Sequence, residues 1–218
     1  MKTLFSSTAI LAAMTIGSSA QAQGLGGDWY VSVFGGYSNI GSIDTDFYGY
    51  DVEHEFDDSY VLGLAVGTTI SPGLRAEVEL SYSSYEGGDV NYTGPADFTF
   101  DTAGDADLTY LMANLWYDIP TTGFGGATPY VGGGIGAVRL DVDTTFGGAD
   151  YGYGDTVTGT AFQLGAGAQF PVGAGMIDVG YRFKTARGLD IDDNDGSGVY
   201  EDGEFTSNNL QVGYVISF

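Results

Sequence analysis

Leu210-Gln211-Val212-Gly213-Tyr214-Val215-Ile216-Ser217-Phe218 closes the chain. Large apolar side chains stand at 210, 212, 214, 216 and 218, with Gln211, Gly213, Val215 and Ser217 between them. Successive side chains of a β-strand point to opposite faces, so this spacing gathers the whole apolar set on one face. A soluble protein seldom finishes on such a strand, because an uncovered apolar edge invites aggregation. Something other than water must cover that face.

The other end of the chain supplies a compartment. Lys2 forms a short positive region, Thr8 to Ile16 (TAILAAMTI) is apolar, and Ala20-Gln21-Ala22 has the small-x-small pattern of a cleavage site. The apolar stretch is too short to span a bilayer as a helix and reads as a removable export signal. Residues 1–22 are therefore expected to be cleaved, leaving 23–218 as one domain. The chain has no cysteine, which excludes a lipid-anchored lipoprotein, disulfides and thiolate chemistry.

Composition narrows the class further. The chain carries 29 Asp+Glu against 6 Lys+Arg, a formal charge of −23, which argues against nucleic acid as a partner. Gly 37, Tyr 16 and Phe 13 favour β structure over helix. No stretch approaches the roughly 20 apolar residues of a membrane helix. If the chain crosses a membrane, it must do so as a closed β-barrel, the strand form that leaves no backbone group unpaired in lipid.

Eight segments have strand character: 28–37, 60–70, 74–85, 108–119, 129–142, 157–170, 176–186 and 205–218. The connections between them hold 22, 3, 22, 9, 14, 5 and 18 residues, long and short in strict alternation. Short turns on one side and long loops on the other, with an even strand number, describe an outer-membrane barrel. Ser71-Pro72-Gly73 and Pro171-Val172-Gly173 supply turn chemistry at two short connections.

Facing follows from the period of two. Leu74, Ala76, Val78, Leu80 and Tyr82 oppose Arg75, Glu77, Glu79 and Ser81. Ile177, Val179, Tyr181 and Phe183 oppose Asp178, Gly180, Arg182 and Lys184. A soluble barrel with an apolar core gives the same alternation. The charges discriminate better. Arg75, Arg139, Arg182 and Lys184 fall within strands, on faces read as polar, whereas 23 acids lie in 38–59, 86–107, 143–156 and 187–204. Buried charge must be paired. Arg75, Arg139, Arg182 and Lys184 set against Glu77, Glu79, Asp141 and Asp178 are expected to form a charge network inside a narrow lumen. Tyr30, Tyr37, Tyr60, Tyr82, Tyr117, Tyr181 and Tyr214, with Trp29 and Trp116, are candidates for interfacial girdles, Trp29 first among them.

Asp28-Trp29-Tyr30-Val31-Ser32-Val33-Phe34-Gly35-Gly36-Tyr37, then Thr128-Pro129-Tyr130-Val131-Gly132-Gly133-Gly134-Ile135-Gly136, then terminal Phe218, resemble the OmpA-like and opacity-type eight-stranded outer-membrane proteins. The resemblance covers nearly the whole mature chain and is specific for architecture, not activity. It implies an eight-stranded antiparallel up-and-down barrel in a Gram-negative outer membrane, with short periplasmic turns and acidic extracellular loops. It also implies that Tyr214, Ile216 and Phe218 form the signal read by the barrel-assembly machinery. Outer-membrane lipid and lipopolysaccharide are the implied surroundings of a monomer.

Three other motifs bear on chemistry. Gly132 to Ala137 fits a dinucleotide-type glycine spacing but opens no helix, and reads as small residues that permit strand curvature and close packing. His54, between Glu53 and Glu55, is the single histidine. A lipid-modifying enzyme would need it oriented by an acid and set against a nucleophile, and no serine motif supplies one. The segment 193–204 resembles an EF-hand calcium loop. Asp193, Asp195 and Ser197 stand at positions 1, 3 and 5, Val199 at 7, Glu201 at 9 and Glu204 at 12. Ser197 departs from the usual Asp or Asn, and no flanking helices are expected.

The leading expectation is a non-enzymatic barrel with a structural or surface-interaction role, its acidic loops meeting divalent cations, calcium included. A small passive channel and a lipid-modifying enzyme are the alternatives, and a soluble ligand-binding barrel a weaker one.

Overall fold

The computed structural model describes residues 28–40, 43–47, 50–56, 59–93, 98–121, 125–146, 152–192 and 199–218. The strands are β1 (Trp29–Ile40), β2 (Ile43–Phe47), β3 (Tyr50–Phe56), β4 (Ser59–Ser71), β5 (Leu74–Thr93), β6 (Phe98–Asp118), β7 (Thr128–Phe146), β8 (Gly152–Val172), β9 (Gly175–Asp192) and β10 (Val199–Ser217). Eight of them close a ring in the order β1-β10-β9-β8-β7-β6-β5-β4, every neighbour antiparallel. The first and last strands meet from Tyr30↔Ser217 to Ile40↔Ser207, and the Phe218 amide donates to the Trp29 carbonyl at 2.9 Å. No edge is left in the ring, which is what lipid requires of a β structure.

At the short-turn end the strands begin and end within about two residues of the expected positions. Gly73 and Gly173 take positive φ, 78° and 63°, in the two turns whose chemistry was legible. At the other end the expectation fails. Most of residues 86–107, a loop by the sequence pattern, continue the β5–β6 ladder, from Glu86↔Asp105 out to Tyr92↔Phe98. Part of 38–59 forms the β2–β3 hairpin, and β3 pairs with the outer part of β5. The ladder is made by backbone groups, which pair in water as well as in lipid. Strands therefore continue after the apolar alternation that revealed them has stopped.

Outward positions form an apolar belt: Val66, Val78, Leu115, Ile135, Leu164, Val179 and Val212 are among its exposed members. On each strand the belt stops after four or five outward residues. At the ~3.3 Å rise of a tilted strand this matches the roughly 25 Å apolar band of a membrane barrel. Tyr60 and Tyr82 lie at its long-loop margin with ring centroids 6.5 Å apart.

Candidate functional site: the barrel interior

Inward side chains divide the interior into two storeys. The one nearer the short turns is polar. Arg75 is held by Asp118, with Nη2 2.8 Å from Oδ1 and Nε 3.0 Å from both carboxylate oxygens. Glu77 accepts from Tyr30 Oη at 2.9 Å, Asn114 Nδ2 at 3.1 Å and Trp116 Nε1 at 3.0 Å. Tyr30 Oη in turn accepts from Arg75 Nη1 at 3.3 Å. A second relay has the same form: Arg182 Nη2 donates to Tyr130 Oη at 2.9 Å, and Tyr130 donates to Asp178 at 2.8 Å. Arg182 lies 4.2 Å from the Trp116 ring centroid and 5.2 Å from that of Tyr130, where the ring quadrupoles attract the cation.

Above these relays Lys184 meets Glu79, Nζ to Oε1 at 2.8 Å, with side chains 1% and 3% exposed. Lys184 also donates to Ser81 at 2.7 Å and lies 4.7 Å from the Tyr110 ring. Gln163 and Asn114 complete the shell of Glu79 from 3.1 and 3.0 Å. Lys184 and Arg75 thus each have a carboxylate partner, as desolvation demands, whereas Arg182 has the Tyr130 hydroxyl and the Trp116 ring but leaves its buried Nε without a hydrogen bond.

The storey nearer the long loops is apolar. Ile40, Tyr85, Leu108, Met112, Leu140 and Leu189 form one buried cluster with Phe205 against it. The sequence reading missed this stopper, because at its level β6 turns Ala106, Leu108 and Tyr110 inward and Asp107 and Thr109 outward, the reverse of the polar-in pattern read from the other strands.

Glycines make the interior fit. A side-chain carbon at Gly167 would meet the Tyr130 hydroxyl, and one at Gly132 would meet Trp116 and the Leu115 carbonyl. The glycine run from 132 thus serves close packing, as its strand context suggests. The space left beside Arg182 and Gln211 is about 20 Å³, measured as volume open to the centre of a water, enough for about one molecule.

The expected network is therefore assembled in part. Arg75, Glu77, Glu79, Asp178, Arg182 and Lys184 all face inward, but Arg75 pairs with Asp118, and Arg182 reaches Asp178 only through Tyr130. Arg139 and Asp141 need correction. Val138 and Leu140 point in, so Arg139 and Asp141 point out; they pair with each other at 3.0 Å and are 60% and 41% exposed. The faces of β7 were misassigned because Gly132, Gly134 and Gly136 leave its inner set without a label. Tyr30 and Trp116, named as girdle candidates, are buried inside, whereas Trp29 faces out. Sequence reasoning passed over Asp118, Asn114 and Tyr130, although Asp118, Trp116 and Asn114 share one parity on β6.

Asp193, Asp195 and Ser197 lie outside the described residues. Val199 and Glu201 belong to β10, and Glu204 accepts from Arg187 Nη2 at 3.0 Å and Thr185 Oγ1 at 3.1 Å. His54 lies on β3 in register with Ile43 and Val90, and its side chain is outside the described set. Tyr214 and Ile216 face outward, and Phe218 is exposed.

A closed antiparallel barrel with an apolar outer belt and a packed interior defines an integral protein of the outer membrane. The chain matches the outer membrane protein beta-barrel domain family over residues 8–218 and belongs to that family, which places it in the Gram-negative outer membrane. No curated protein matches it in sequence. Among solved structures it is similar to Neisserial surface protein A (21% identity, 87% of this chain and 97% of that one, TM-score 0.55). It is also similar to OprG of Pseudomonas aeruginosa (16%, 87% and 96%, 0.52). A major outer membrane protein of Thermus thermophilus follows (13%, 89% and 100%, 0.50). At these identities the likeness is one of fold.

Proposed function

We propose that the protein works as a closed, non-enzymatic, monomeric barrel, a structural element of the outer membrane that presents acidic segments to the outside. The observation that carries this reading is the filled interior: a paired polar storey below and an apolar stopper above. An eight-stranded barrel has an interior just wide enough for its own side chains, and here they occupy it. Divalent cations are the proposed partners of the acidic segments; calcium at 193–204 would have to draw Glu204 away from Arg187 and Thr185. Planar-bilayer recording on the purified full chain tests the closed interior. Sustained unitary currents at neutral pH would overturn it in favour of a channel; a silent bilayer with inserted protein supports it.

A further inference from the structure

We propose that the outer wall of the barrel carries a site for a phosphate-bearing lipid headgroup, built on Arg139 and Arg187. The proposal rests on the membrane placement of the chain and not on its closed interior, so the conductance experiment leaves it unaffected.

Apart from Lys2, the chain has five bases, and all five lie among the described residues. Arg75, Arg182 and Lys184 face the lumen. Arg139 and Arg187 face outward, on β7 and β9, with β8 alone between them. Arg139 opposes Thr158, and Arg187 opposes Thr160. Two strand spacings, about 10 Å, separate the arginines across the sheet. The exposed Thr158 and Thr160 occupy the wall between them.

Their height matters as much as their spacing. The outward apolar series ends at Ile135 and Ala137 on β7, Phe162 on β8 and Phe183 on β9. Arg139 is the next outward residue above Ala137, and Arg187 stands one outward position higher than that on β9, with Thr185 between it and Phe183, both on the side away from the short turns. That is the depth at which hydrocarbon gives way to headgroups in the outer leaflet. The opposite wall has Tyr60 and Tyr82 at the same margin and no base. Asp107, on β6 beside β7, stands in register with Asp141 and accepts from Tyr82 Oη at 2.7 Å.

Each guanidinium is oriented by an acid. Arg139 gives Nε and Nη2 to Asp141 at 3.1 and 3.0 Å, and Arg187 gives Nη2 to Glu204 at 3.0 Å. The two arginine side chains remain 60% and 61% exposed. A guanidinium has five N–H donors in a rigid fork that fits phosphate oxygens, so holding one edge leaves the other to bind. On a chain of charge −23 this is the stretch of outer wall where a phosphate meets cations and hydroxyls together.

The test is native mass spectrometry of the full chain released from bilayers of phosphatidylcholine containing about one fifth phosphatidic acid. Wild type is expected to retain phosphatidic acid in preference to phosphatidylcholine. R139Q/R187Q is expected to lose that retention by about fivefold per arginine, the effect of one base near a charged surface. R139K/R187K, which keeps charge but not the fork, should fall between. Heat-modifiable gel migration checks that each variant is folded, and the single Gln variants stand in if the double variant is not. Equal retention by wild type and the Gln variants, or no preference for phosphatidic acid, would overturn the site.

Discussion

Lys184 Nζ and Glu79 Oε1 meet at 2.8 Å across the full width of the barrel. In the ring order β9 stands four strands from β5 in either direction, so this pair ties diametrically opposite walls. It also marks the boundary between the storeys, with the Arg–Tyr–carboxylate relays below it and the apolar cluster above. A bridge of this kind fixes the barrel's cross-section and blocks its axis at the same point.

Removing one partner strands the other in a dry interior. Glu79→Gln, which leaves Lys184 charged and unpaired, is expected to cost about 3–5 kcal/mol. Replacing both with apolar residues of similar size, Glu79→Leu with Lys184→Met, should cost less than either single change. Urea unfolding in lipid measures both; additive losses would show that the two groups act independently.

Gly167 lies under the Tyr130 hydroxyl, which joins Arg182 to Asp178. Gly167→Val drives that hydroxyl from its place, so overpacking and the broken relay act together. A loss of at least about 1–3 kcal/mol is expected. Gly35→Ala on the outer wall serves as a comparison for added bulk alone, since its new carbon meets only the Leu62 side chain at 3.1 Å and the Val61 carbonyl at 3.6 Å. A tolerated Gly167→Val would mean that the inner storey repacks freely.

The Asp141 carboxyl lies outside the membrane belt. Hydrogen bonds from Arg139, first, and then Thr156 hold its pKa below the ordinary carboxylate range. A depressed folded-state pKa contributes stability above the unfolded value, near 4, that fades as pH falls through the folded value. Asp141→Asn should therefore weaken the folded state slightly at pH 7, and progressively less as pH falls below the unfolded value. Because the pair is exposed the effect is small. Thermal unfolding followed from pH 7 downward reads it, and an effect that does not shrink with falling pH would contradict the linkage.

Phe218 presents its ring to the outside, whereas its amide completes the seam to Trp29. Phe218→Ala keeps the amide, so refolded barrel should retain its stability within about 0.5 kcal/mol. Delivery to the outer membrane of cells should fall sharply if the terminal aromatic is an assembly signal. Membrane levels equal to wild type would show that it is not.

Local patterning was enough to read the strand class, the count of eight ring strands, the short-turn boundaries and, on strands other than the glycine-rich β7, the face that meets lipid. Those properties live in periodicity and turn chemistry: Leu210 to Phe218 and Ser71-Pro72-Gly73 carry them without reference to any other segment. The extent of the strands beyond the membrane was not legible, since the β5–β6 ladder past Glu86 is held by backbone groups with no apolar signature. The interior was legible only as an inventory. Whether Arg75 takes Asp118 or Glu77 depends on which side chains of neighbouring strands share a level. Whether Arg182 and Asp178 touch or are joined by Tyr130 depends on the room left by Gly167 and Gly180. That Lys184 finds Glu79 on the far wall, and that Arg139 leaves the lumen for the lipid face, depend on closure of the ring and on register. A strand's own residues determine which side chains share a face, but the neighbouring strands determine what that face meets.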